Sequence, residues 1–398
     1  MALLPLVKAL VVGVHDARAV AEDAISALRC FQVVNSERGE HYFVIEGWVP
    51  GPNIAEFSTI LEEASQGLVA VVLDEDVSAA ITRPPSALRN IPLARPYELL
   101  VELYGMPGRD DYDPTFATFL FLPLFFGLMI GDAGYGVALI AVSWAIGRWF
   151  RTPLAQLAQS ILRFGGVWSI AFGLLLFGDV GGWSLQSLLP SYPYIHRGDD
   201  VFLLFVLAII VGATHVNFGL LMGFRAIRRR EGLRVAFLRK ISWIILEHGA
   251  FILMLGLAGV ALADLWYIGL GVMAFATGLI AWGGGLTDIV EVPSFVSNIL
   301  SYLRLAVIGI AKSALATTVN TFIVGSLFPL GVAGWIAGGV LLVIGHGFVL
   351  LLAVVTVGIQ ALRLHYVEFY SKFYPREGVQ IVEKFRPSVK AGSTGSRT

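Results

Sequence analysis

The sequence predicts a mainly α, polytopic membrane protein in which eight transmembrane helices, the last two long and tilted, follow a small N-terminal α+β lobe. Three observations carry that expectation. The chain of 398 residues is 56% hydrophobic and only 14% charged, with a mean hydropathy of +0.75, a balance that suits membrane spans. At Tyr112-Asp113-Pro114 the polarity collapses, and long apolar runs continue almost to residue 375. The formal net charge of −1 conceals a segregation of charge, with basic clusters set between apolar runs.

Three regions follow: a cytoplasmic lobe over 1–113, a transmembrane domain over 114–375 and a cytoplasmic tail over 376–398. In the lobe, HDARAVAEDAISALRCF has the apolar spacing of an amphipathic helix, and EHYFVIEGWVP reads as a strand closed by Gly47 and Pro50. NIAEFSTILEEASQG reads as a second helix with Asn53 as its N-cap, and LVAVVLDED as a second strand. The opening MALLPLVKALVVGV only faintly resembles a secretion signal. Lys8 interrupts its apolar run and no small-residue cleavage site follows, so it is expected to begin a folded segment. The single cysteine, Cys30, excludes a disulfide framework and any multi-cysteine metal site.

The expected spans lie near 116–131, 133–150, 160–179, 202–224, 243–263, 266–285, 291–328 and 332–373. At ~1.5 Å per residue the last two reach roughly 55–65 Å, about twice the hydrocarbon thickness, so they must tilt, kink or project. Orientation comes from the cations. With the lobe inside, the inward loops hold Arg148, Arg151 and Arg163, then Arg225, Arg228, Arg229, Arg230, Arg234, Arg239 and Lys240, and the tail adds Lys372, Arg376, Lys384 and Arg386. The outward loops hold Arg197 beside Asp199 and Asp200, and Asp264 with no cation. Both termini are therefore expected in the cytoplasm.

The stretch NILSYLRLAVIGIAKSAL places Arg304 and Lys312 deep in the seventh span. A cation at a bilayer centre costs at least ~2.5–3.5 kcal/mol, and arginine cannot lose its proton to escape that cost. On a helical wheel Ser297, Leu300, Ile308, Ala311 and Leu315 fall within about 40° of Arg304, while Glu291, Asn298, Ser301 and Lys312 fall between about 60° and 140° to one side. Arg304 thus projects from an apolar face flanked by a polar lane. In the eighth span Gln360 and Arg363 sit three apart on neighbouring parts of one face, with His346 about 40° from Gln360; His365 and Glu368 lie nearer the inner end. Asp132, Asp179, His215, Asn217, Glu247 and His248 are further polar groups at membrane depth, and together they suggest a wet interior. The bland readings are a helix-locking ion pair for Arg304 and a satisfied core histidine for His346.

Neither a G-x-x-x-x-G-K-[ST] loop nor an H-E-x-x-H helix occurs, so neither nucleotide hydrolysis nor zinc chemistry is expected of this chain, and no cofactor is. The basic run RAIRRREGLR sits between spans and reads as topogenic or lipid-facing, with no nucleic-acid partner.

SNILSYLRLAVIGIAKSAL resembles the S-Y-L-R-L signature of the membrane-embedded stator subunit, subunit a or I, of vacuolar and archaeal-type rotary ATPases. YELLVELYGMP with DYDPT, FGLMIGDAGYG, QALRLHYVEFYSKFY and VIEGWVP match in order from about residue 40 to 375. The resemblance implies a non-hydrolytic subunit that forms half-channels for H⁺ (or Na⁺) against a rotating proteolipid ring, in a prokaryotic cell membrane. It implies ion-translocation roles for Arg304, Arg363 and Gln360, and makes Glu291, Asn298, Ser301, Lys312, His346 and Asp132 half-channel candidates. Implied partners are the proteolipid ring, peripheral stalk subunits, the central stalk or rotor base, and lipid. This sequence carries less of the N-terminal arm than the family usually has, as expected of a fragment, a truncated gene product or a reduced variant; Lys312 stands where eukaryotic relatives have histidine, and Ala353 where they have glutamate. The alternatives are a secondary transporter or channel whose intramembrane arginines bind an anion, which would normally show paired repeats, and a purely structural membrane anchor.

Overall fold

The computed structural model describes residues 6–28, 30–74, 86–107, 112–257 and 265–374. The expected tail over 376–398, Asp264 and the end of the 243–263 span lie outside the described residues. Residues up to 92 together with 100–113 belong to one compact unit, and 93–99 together with 114–374 to a second.

In the first unit β1 (Leu6–Val14), α1 (Arg18–Leu28), β2 (Gln32–Arg38), β3 (Tyr42–Pro50), α2 (Ile54–Ala64) and β4 (Val69–Asp74) follow in a β-α-β-β-α-β order. The sheet order is β2-β3-β1-β4 with every neighbouring pair antiparallel, the ferredoxin-like arrangement. One face is buried beneath both helices: Ala9, Val11, Phe43 and Ile45 of the strands meet Ala21, Ile25, Phe57 and Leu61. Phe31 and Phe57 stack with ring centroids 5.1 Å apart. Two strands expected from sequence become four, because the opening apolar run is itself the inner strand β1 and Gln32–Arg38 forms the edge strand β2. Asn53 does not cap α2 through its side chain; the turn Gly51–Asn53 winds directly into the helix.

After α3 (Glu98–Tyr104), whose residues from Leu100 on belong to the first unit, the second unit holds α4 (Thr115–Ile130), α5 (Ala133–Trp149) and α6 (Pro153–Phe172). A hairpin of β5 (Asp179–Val180) and β6 (Trp183–Ser184) leads to α7 (Val201–Glu231), α8 (Leu233–Ala236), α9 (Ser242–Leu257) and α10 (Leu265–Gly284). The last elements are α11 (Leu286–Val290), α12 (Val292–Leu300), α13 (Leu303–Leu327) and α14 (Val332–Arg363), which runs on through a π-helical stretch at Leu364–Phe369. Among the described residues six helices are long and apolar enough to cross a membrane, two fewer than expected: 153–177, 201–231, 233–257, 266–284, 287–330 and 332–372. The first two expected spans are the 16- and 17-residue helices α4 and α5. Gly131 ends α4 in the left-handed region at φ 45°, and Asp132 caps α5 by accepting the Tyr135 N–H, so the apolar run is cut in two. The helix expected at 160 starts at Pro153, where Thr152 accepts the Ala155 N–H and proline fills the first turn.

The 287–330 span is three helices in line. Between α12 and α13 the bonds Tyr302 N–H to Ile299 O, Arg304 N–H to Ser301 O and Leu305 N–H to Tyr302 O tighten the winding to i→i+3. The single wheel drawn at ~100° per residue therefore does not carry across Ser301 and Tyr302. The break exists because Tyr302, fully buried, enters the α7 surface at Gly212 and its hydroxyl meets His215 Nδ1 at 2.8 Å. Any side chain at 212 would overlap the Tyr302 ring.

Arg197, expected as an outward loop cation, is 5% exposed. Its guanidinium donates to the carbonyls of Ile130, Gly131 and Gly309 at 3.0–3.1 Å, satisfying the open end of α4 and fastening it to α13. At Gly131 a methyl group would be strained by φ and would displace Arg197 Nη2. Gly131→Ala should therefore lower the thermal midpoint of the detergent-purified protein by at least ~2 °C. Gly339→Ala, a helical site where an added Cβ meets nothing within 4 Å, should leave it unchanged or raise it. Equal midpoints for both variants would contradict this account.

Candidate functional site

Arg304 opens α13 immediately after the Tyr302 break, and its side chain stays 18% exposed. One Nη1 proton goes to Gln360 Oε1 at 3.2 Å, while Glu368 Oε1 lies 3.9 Å from the same nitrogen. Glu368 itself is 1% exposed. The structure thus brings Gln360 to Arg304, beyond the Arg363 neighbour its spacing suggested. Arg363 is exposed and close enough to act electrostatically on both Arg304 and Glu368. A neutral amide donates no charge, so the guanidinium is oriented without being neutralised. Glu368, read from sequence as near the inner end, faces the arginine; the π-helical stretch Leu364–Phe369 breaks the 3.6-residue period before it, so regular helical spacing does not reveal it.

A second cluster forms ~12 Å further along α13, eight residues on. Lys312, 4% exposed, binds Asp132 Oδ2 at 2.8 Å and lies 3.9 Å from the centroid of the Tyr135 ring. Asp132 also accepts the N–H groups of Tyr135 and Gly181 on Oδ1 and of Gly182 on Oδ2. Tyr135 OH meets His346 Nδ1 at 2.7 Å, and His346 Nε2 meets Asn320 Oδ1 at 2.7 Å. Beside them Asp179 receives Ser313 Oγ at 3.3 Å and lies 3.7 Å from Arg197 Nε. Asp132, Lys312 and His346 are therefore brought together, but as a bonded network. His346 does not share a site with Gln360: 14 residues, or ~21 Å, separate them along α14.

Glu291 and Asn298 are half-buried on α12 and its approach, and Ser301 Oγ donates to Ser297 O and lies close enough to Glu368 to hydrogen-bond its carboxyl. Sequence reasoning saw Glu247 and Asn217 as polar groups at depth without placing them. They line a cleft of about 760 Å³ between α7, α9 and α12, together with Thr214, His248, Phe295 and Leu300. Glu247 is 5% exposed, and neither of its oxygens has a hydrogen-bond partner. Glu291 and Asn298 are not among the lining residues. Between the cleft and α14 lies an aromatic block in which His215 stacks on Phe369, centroids 4.2 Å apart, and stands 4.8 Å from His365. Among the described residues no group of three or more His, Cys, Asp or Glu could hold a metal ion.

Residues 15–170 match the V-type ATPase 116kDa subunit family. The A-type ATP synthase subunit I of Archaeoglobus fulgidus is 30% identical over 85% of this chain and 58% of its own length. That of Methanothermobacter thermautotrophicus is 29% identical over 92% and 56%, and the V-type ATP synthase subunit I of Borreliella burgdorferi is 23% identical over 83% and 58%. The chain thus spans little more than half the length of these relatives. It has six apolar helices long enough to cross a membrane among the described residues, is similar along most of its residues to subunit I of A-type and V-type ATP synthases, and matches the V-type ATPase 116kDa subunit family over residues 15–170.

Proposed function

We propose that the chain is the stator subunit that guides H⁺ (or Na⁺) to and from a rotating proteolipid ring in a rotary ATPase, taking no part itself in nucleotide hydrolysis. The carrying observation is Arg304: a permanent cation, held by Gln360 and backed by a buried carboxylate, on an open apolar face. That face includes Val307, Leu315 and Phe322 of α13 and Phe348, Val355 and Ile359 of α14, all more than 45% exposed. It suits a sliding apolar partner that carries one carboxylic acid per helix. An arginine within ~4–6 Å lowers a carboxyl pKa by ~1–3 units, so the passing acid gives up its ion there, and the same charge blocks a direct leak. The similarity to subunit I of A-type and V-type ATP synthases supports the rotary-ATPase part of this reading.

We place the lobe and both termini in the cytoplasm, and let α4 and α5 complete eight spans by lying short and tilted beside the longer helices. The inner route then approaches Arg304 through the cleft of Glu247 and Asn217, with Glu291, Asn298 and Ser301 near its mouth. The outer route passes the network of Lys312, Asp132 and His346. Arg363 reinforces the positive field from the neighbouring helix. The peripheral stalk would be met by the lobe.

Arg304→Ala should abolish ATP-driven ion transport by the reconstituted complex while leaving its assembly intact; Arg304→Lys should restore only part, because an ammonium lacks the planar fork. Wild-type transport by the alanine variant would refute the reading. For orientation, the native thiol is first removed by Cys30→Ser. Asn298→Cys and Thr214→Cys should then react with a membrane-impermeant maleimide added from the lobe side, and Ser187→Cys, in the exposed loop after β6, from the other side only. The reverse pattern would invert the proposed topology. At the outer network, Asp132→Asn alone should destabilise by ~3–5 kcal/mol because it strands a buried ammonium, whereas Asp132→Asn with Lys312→Met should cost less. A double variant as unstable as the sum of the singles would show that the two groups do not act as a pair.

A further inference from the structure

We propose that Glu368 is the resident counter-carboxylate of Arg304, which the arginine exchanges for the carboxylate of each passing ring helix. This inference rests on the ion-path reading above and gives the carboxylate behind Arg304 a part in each step of rotation. Glu368 is 1% exposed and reaches to 3.9 Å of Arg304 Nη1, at the limit of a contact ion pair. Its second oxygen is buried with no hydrogen-bond partner. A carboxylate this enclosed costs several kcal/mol in desolvation, and the structure sets against that cost first the Arg304 charge, then Arg363 behind it, with a smaller contribution from the Ser301 hydroxyl.

The placement is built in. The π-helical turn at Leu364–Phe369 inserts an extra residue, which sets Glu368 inward on the Arg304 side. Phe369, stacked on His215, fastens the turn. His215 in turn holds Tyr302 by its hydroxyl, two residues before Arg304. Carboxylate and guanidinium are therefore registered against each other through one continuous packed unit, while the outer side of Arg304 stays open.

The physical consequence concerns release. A guanidinium that meets a dehydrated carboxylate binds it strongly at low dielectric, and a rotor would stall if every step required simple rupture of that pair. A second carboxylate 3.9 Å away converts rupture into exchange. The arginine stays paired throughout, and the barrier falls to the difference between two similar partners. Gln360 keeps its bond to Nη1 in both arrangements, since the guanidinium has five donors.

The experiment compares Glu368→Gln, Glu368→Asp and the exchange Glu368→Gln with Gln360→Glu in the assembled complex, reconstituted into liposomes and driven by ATP. Glutamine keeps shape and loses charge; aspartate keeps charge and loses reach. Glu368→Gln should lower ion transport at least ~tenfold, Glu368→Asp should retain more than glutamine does, and the exchanged double variant should recover a substantial part. A packing role predicts the opposite order, with glutamine at or above aspartate and no gain from the exchange, and that result would overturn the proposal. If Glu368→Gln prevents assembly, assembly becomes the readout: its return in the exchanged variant supports the proposal, and its absence overturns it. Arg304→Ala measured alongside separates the two levels. Transport surviving in that variant refutes the ion-path reading, whereas loss there with wild-type transport in Glu368→Gln refutes the role of Glu368 alone.

Discussion

The Asp132 carboxylate gathers an ammonium and three backbone N–H groups into one buried point, and the membrane unit is arranged around it. Tyr135 N–H starts α5, Gly181 and Gly182 come from the hairpin before α7, and Lys312 belongs to α13. Three elements, two of them distant in sequence from Asp132, are fixed by one side chain. Each of those donors would otherwise be stranded without water at this depth, where an unsatisfied polar group costs several kcal/mol. Arg197 closes the opposite requirement beside it, because its guanidinium takes the carbonyls that the end of α4 leaves open. Cation and anion thus do for helix ends here what water does in a soluble protein.

Against that firmly paired centre, Arg304 is held more loosely. Lys312 has its carboxylate at 2.8 Å, while Arg304 has an amide at 3.2 Å and a carboxylate at 3.9 Å. The difference matters chemically. A charge locked at contact distance is a structural bolt, and its partner is not readily replaced. One stabilised at slightly longer range, with part of its surface open, can accept another partner from outside. The two intramembrane cations of a single helix, alike in the sequence, therefore occupy opposite ends of this scale.

The aromatic block of Tyr302, His215, His365 and Phe369 sets where that open cation stands. Tyr302 docks at Gly212 because no side chain intervenes, and the docking forces the tighter winding through which Arg304 emerges. On the neighbouring span the π turn answers it with Glu368. Such local departures from regular helix cost stability and persist where surrounding packing over-determines them. Both occur next to the residues on which the proposed function depends.

The sequence by itself determined the broad plan, because each part depends on local signals. Apolar run length marks the long spans, the 3.6-residue period marks α1 and α2, and the cost of charge in lipid singles out Arg304, Lys312 and Asp132 before any fold is known. The division at Gly131 was read in the same way, as the boundary between the expected spans 116–131 and 133–150, whereas strand β1 was not, since a short apolar run fits strand or helix. Only the tertiary structure decided which polar group meets which. Lys312 with Asp132 are 180 residues apart and Arg304 with Gln360 are 56 apart, and no period of a single helix relates them. It also decided that Arg197 is buried and that Glu368 turns inward. The wheel failed at Ser301 and Tyr302 for the same reason: the winding there is set by a tyrosine finding space on another helix, a contact between distant segments that local pattern does not encode.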